Sequence, residues 1–145
     1  MKRIILALIL PFFLSGCASL LGSEEEAVYI DSSPTNIAFV VADSAGNIVA
    51  KGLTPRSVIL KKADGSYFGK QAYTLTVMRE GYYSTIMPLE YRYSYWYTFG
   101  NLPLLGVPGW FIVDPYFGGM YTFKTPRVKV VMRPCQPGPF RYMCT

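Results

Sequence analysis

Ile37-Ala38-Phe39-Val40-Val41-Ala42-Asp43-Ser44-Ala45-Gly46-Asn47-Ile48-Val49-Ala50 decides the fold. Two β-prone runs, 37–42 and 48–50, flank five residues of turn chemistry. Asp, Ser and Asn side chains bond back to their own backbone, and Gly46 and Asn47 suit positive φ, so the stretch predicts a β-hairpin. Upstream, Val28-Tyr29-Ile30 reads as a first strand and Ser32-Ser33-Pro34-Thr35-Asn36 as a turn. Downstream, Gly52-Leu53-Thr54-Pro55 breaks the ladder and Val58-Ile59-Leu60 resumes it. Tyr73-Thr74-Leu75-Thr76-Val77-Met78 then alternates with period two, and Gly81-Tyr82-Tyr83 closes this half. Short strands between frequent turns predict an all-β fold, a small antiparallel β-sandwich.

The order of these motifs resembles a PEGA-type module, a small β-sandwich of bacterial envelope proteins. The matching points are Ser33-Pro34 after the first strand, Gly52-x-Thr54-Pro55 after the hairpin, a strand ending in Val77, and Gly81-Tyr82. They cover 28–89. The signature tetrapeptide Pro-Glu-Gly-Ala is here Pro34-Thr35-Asn36-Ile37. The resemblance implies envelope attachment or surface scaffolding and transfers no catalytic residue. An ordinary β-meander is the other reading of the same stretch.

The 145 residues leave room for a signal segment and one small domain. Met1-Lys2-Arg3 is a cationic start, and the apolar run from Ile4 to Leu14 is too short to span a bilayer, which takes about 20 residues. Leu14-Ser15-Gly16-Cys17 follows and resembles the lipobox of bacterial lipoproteins. That resemblance implies a diacylglyceryl group on the Cys17 sulfur, cleavage between Gly16 and Cys17, and acylation of the new amine. No other cofactor is expected. Two or three acyl chains anchor stably where one binds marginally. Ala18 stands where Asp would mark inner-membrane retention, so the expected location is the outer membrane, facing the periplasm. Residues 1–16 are then the signal peptide and 17–26 a lipidated flexible tether. The β-domain covers 27–134, with 90–134 as its aromatic, apolar half, and a C-terminal tail covers 135–145.

Twelve Tyr, nine Phe and two Trp give this chain a high aromatic content, and it has no histidine. The commonest proton shuttle and metal ligand are therefore missing, and no metal site is expected. The formal charge of +5 falls to about +3 once Lys2 and Arg3 are removed. The remaining cations are scattered rather than clustered as phosphate binding requires, so no nucleic-acid partner is expected.

Tyr91, Tyr93, Tyr95, Tyr97 and Phe99 fall at period two, so a strand there would align five rings on one face. The apolar, Gly/Pro-rich insertion that follows, before the last strands at Met120–Phe123 and Val128–Met132, is similar to a segment of small envelope lipoproteins. Two readings compete for Tyr91 to Phe123. The apolar residues of this stretch are core packing, or Leu104, Leu105, Trp110, Phe111 and Ile112 form a docking patch for lipid or a partner protein.

With Cys17 on lipid, Cys135 and Cys144 are an even pair in an oxidising compartment and predict a disulfide. No Gly-x-Ser-x-Gly elbow, Ser-x-x-Lys pair or phosphate loop occurs. Glu80, Glu90 and Asp114 are the carboxylates near the aromatic half that glycan hydrolysis would need. The expected function is non-enzymatic: a membrane-anchored envelope lipoprotein serving as a structural or interaction module. The alternative is a peptidoglycan- or glycan-binding lipoprotein that uses its aromatic half.

Overall fold

The computed structural model describes residues 23–100, 114–116, 118–136 and 144. Cys17 and Gly16 lie outside these residues, as do Leu104, Leu105, Trp110, Phe111 and Ile112. Within them the chain is mostly strand, and the small all-β fold expected from the sequence is what forms. The strands are β1 (Glu25–Ser33), β2 (Ala38–Asp43), β3 (Ile48–Leu53), β4 (Arg56–Lys61), β5 (Tyr73–Met78), β6 (Thr85–Leu89), β7 (Tyr91–Tyr93), β8 (Tyr121–Phe123) and β9 (Arg127–Val131). The chain divides into two compact units.

One unit comprises Ala27–Leu60, Gln71–Glu90 and the chain from Phe123 onward. Its antiparallel sheet has the order β3-β2-β5-β6, and its second sheet has the order β4-β1-β9. Alternation puts Phe39, Val41, Tyr73, Leu75, Val77 and Leu89 on the inner face of the first sheet. Val28, Ile30, Val58, Leu60 and Val130 occupy the inner face of the second. All are buried, and each such aliphatic or Phe side chain contributes roughly 1.5–3 kcal/mol. On the outer face of the three-stranded sheet Tyr29 pairs with Arg127 and Asp31 with Lys129, and Ile59 and Val131 stand exposed beside these charges. On the four-stranded sheet Ile48, Leu53, Met78 and Ile86 stand exposed among Ala38, Val40, Thr74 and Thr76, with Lys51 the single charge in that group.

The 43–47 turn forms as the hairpin reading requires. Gly46 sits at φ 84°, whereas Asn47 uses its amide rather than positive φ, donating to the Asp43 carboxylate at 3.1 Å. Asp43 also accepts from the backbone N–H groups of Ala45 and Asn47, both at 2.9 Å. The Ser33-Pro34 and Thr54-Pro55 loops meet. The Thr54 hydroxyl lies 2.5 Å from that of Ser32 and accepts from Ile37 N–H at 3.1 Å, so buried polar groups are paired as burial demands. A Cβ on Gly52, at the end of β3, would stand 3.3 Å from the Phe39 ring and 3.0 Å from the Arg56 side chain, a tight fit to which those side chains would have to yield.

Three expectations need correction. The sandwich is not wholly antiparallel: β1 and β9 run parallel, Ile30 opposite Val128. A parallel pair needs a long connection, and the chain between these strands supplies it. The tether was expected to reach Glu26, but β1 begins at Glu25 and the Glu24 carbonyl accepts from Lys62 N–H at 2.9 Å. Finally, Tyr91–Phe99 is not one strand. Only Tyr91–Tyr93 is extended; a helical turn follows, with Trp96–Gly100 π-helical. Ser94 causes the change. Its hydroxyl accepts from Tyr97 N–H at 3.2 Å in the manner of a helix cap, and its carbonyl accepts from Thr98 N–H at 3.2 Å.

Candidate functional site

The described residues of the second unit are 23–26, 61–70, 91–100, 114–116 and 118–122, and it is built on aromatic rings. The β7-β8 sheet brings Tyr91 and Tyr93 to Tyr121, with centroids 6.3 and 5.7 Å apart. The helical turn after Ser94 adds Tyr97 to Tyr93 at 5.8 Å, so Tyr121, Tyr93 and Tyr97 form a row of offset, nearly parallel rings. Aromatic pairs favour this geometry. The same turn pairs Tyr95 with Phe99 at 4.8 Å, the four-residue spacing of a helix surface. The rings aligned by period two thus stay together in part, held by helical neighbours instead of a strand face.

The 61–70 segment, which the sequence reading passed over, supplies the facing wall. Phe68 N–H donates to the Pro115 carbonyl at 2.9 Å, and the Tyr121 hydroxyl donates to the Phe68 carbonyl at 2.9 Å. Burial pushes the Tyr121 phenol above its ordinary value, and Tyr93, Tyr97 and Asp64 nearby push it the same way. The phenol therefore stays protonated and keeps donating. Phe68, Lys70, Tyr91, Arg92, Tyr93 and Tyr121 line an open cleft of about 430 Å³, the size of a small-ligand site. No carboxylate is among the six. Lys70 and Arg92 are the two cations among the six. The signal that marked this segment was Tyr67-Phe68 between Gly65 and Gly69.

Lys62 in the same unit is buried, and burial depresses its ammonium below the ordinary lysine range while Glu26, 4.0 Å away, opposes that shift. Glu26 also accepts from the Thr122 hydroxyl at 2.9 and 3.0 Å. This set of contacts ties three chain segments together.

In the sandwich, Glu90 is exposed and held by Lys124 at 2.7 Å. That hydrogen bond and the lysine charge lower its carboxyl, the opposite of what a glycosidase general acid needs. Glu80 is exposed in the turn after β5, and Asp114 opens a 3₁₀ turn. Among the described residues no three His, Cys, Asp or Glu side chains come together to hold a metal. A second cleft, of about 380 Å³, lies between β6 and β9 and includes Leu89, Phe123, Arg127 and Lys129.

Cys135 and Cys144 form the expected disulfide, with Cα atoms 6.1 Å apart. Backbone pairing docks both arms on one segment: Cys135 N–H donates to the Gly81 carbonyl at 2.9 Å, and Cys144 bridges to Tyr83. Among the described residues no helix is long and apolar enough to cross a membrane.

No family model, curated protein or solved structure matches this chain.

Proposed function

We propose that this chain is an envelope lipoprotein, anchored through lipid on Cys17 to the periplasmic face of the outer membrane, that acts as a non-enzymatic structural or interaction module. The observation that carries this reading is Leu14-Ser15-Gly16-Cys17 directly after a cationic, apolar leader. The Cys135–Cys144 disulfide supports it, because such bonds persist in oxidising compartments. The PEGA-like order of turns in 28–89 suits a scaffold at a surface.

Replacing Cys17 by Ser tests the anchor. The expected result is an uncut precursor without palmitate label and lost from the membrane fraction, since lipidation of the thiol precedes cleavage. A mutant processed to the normal size and still labelled overturns the reading.

The cleft favours a second reading within the same location, binding of an envelope glycan. Tyr93, stacked on its neighbours yet exposed to solvent, offers an apolar body and a polar tip suited to a wet ligand.

A further inference from the structure

We infer that the cleft walled by Phe68, Lys70, Tyr91, Tyr93 and Tyr121 binds a sugar that carries a carboxylate, with the pyranose against the tyrosine rings and the carboxylate on Lys70. This rests on the glycan-binding reading and names its ligand class.

Shape comes first. The ring row is fixed before any ligand arrives: Tyr121 is buried and tied by its hydroxyl to the Phe68 carbonyl, and Tyr93 makes ring contacts with both Tyr121 and Tyr97. Yet Tyr93 remains 60% exposed. An ordered but exposed ring loses little entropy on binding, which is the advantage of a preorganised site. The axial C–H bonds of a pyranose present a weakly positive, apolar face that matches the negative face of a phenol ring. The phenol hydroxyls can bond the sugar's own hydroxyls.

Charge then narrows the class. Lys70 and Arg92 are both exposed cations of the cleft's lining, Lys70 on the wall that faces the ring row, and no acidic residue lines it. Asp64 is the carboxylate that influences Tyr121, but its oxygen Oδ1 accepts from Ser66 N–H at 2.8 Å and from the Ser66 hydroxyl at 2.6 Å. A neutral sugar would leave Lys70 unused, whereas a sugar acid gains a charge-assisted hydrogen bond.

A matched pair of ligands tests this on the full lipidated chain in detergent, followed by tyrosine ring NMR shifts and calorimetry. N-acetylglucosaminyl-N-acetylmuramic acid carries a carboxylate that diacetylchitobiose lacks. The acidic disaccharide is expected to bind about tenfold more tightly, an advantage that added salt should reduce. Lys70→Gln should erase the difference, and Tyr93→Ala should weaken both ligands while the thermal midpoint holds. Tyr93→Phe, which keeps the ring, should retain binding. Equal affinity for the two sugars, no shifts with either, or binding indifferent to Tyr93→Ala overturns the inference. Each of these results leaves the Cys17 anchor standing, because that is read from membrane fractionation.

Discussion

The sandwich unit and the aromatic unit both rely on aromatic side chains, but they place them in opposite surroundings. Phe39, Phe123 and Tyr73 of the sandwich are at most 6% exposed, sealed between its sheets. Tyr93, Tyr95 and Phe99 of the other unit are 54–70% exposed, held mainly by one another. A ring buried among aliphatics contributes through lost water contact and close packing. An exposed stacked ring contributes little to stability and keeps its surface for something else. The same residue type therefore serves the fold in one unit and is left for contact in the other.

The largest expected effect breaks this comparison if it fails. Phe39→Ala should destabilise by about 3–5 kcal/mol in denaturant unfolding, whereas Tyr93→Ala should cost under about 1 kcal/mol. Similar losses would mean that the two rings play the same role. Next in size is the disulfide: Cys135→Ser with Cys144→Ser should cost roughly 2–3 kcal/mol, the range for closing so short a loop. Proteolysis should then begin in the tail rather than in β5, and early cleavage of β5 would contradict a tail merely docked on Tyr82 and Tyr83.

The smallest effect concerns the hairpin turn. The Asn47 amide and backbone N–H groups of the turn hold the Asp43 carboxyl below its ordinary 3.8. A depressed carboxyl stabilises the fold above its unfolded value and loses that contribution as pH falls through the folded one. Amide exchange at Ala45 and Asn47 should therefore accelerate selectively below pH 3.8 while Leu75 stays protected. Uniform exchange across the turn and β5 would show that the carboxylate does not hold the turn locally.

Much of the sandwich was legible because its signals are local. The 73–78 alternation became β5 with the same bounds, and the Asp43–Asn47 turn chemistry became a turn. β6 escaped notice because Thr85-Ile86-Met87-Pro88-Leu89 has no polar residue in the middle to mark alternation, and Ile86 points outward beside Thr76. The candidate site was half legible. The tyrosines announced themselves, but a period-two count cannot see that Ser94 will cap a helical turn, nor that Phe68 and Lys70 will face rings more than 20 residues away.

The sequence by itself determined the all-β class, the first hairpin and the Cys135–Cys144 pairing, since strand alternation, turn residues and two cysteines nine residues apart act over short stretches of chain. Only the tertiary structure decided that β1 would run parallel to β9, that 61–70 would meet Tyr91, Tyr93 and Tyr121, and which tyrosines would stay exposed. Those outcomes depend on contacts between residues far apart in the chain. Their free energy comes from surfaces meeting in space, and no local pattern encodes which surfaces will meet.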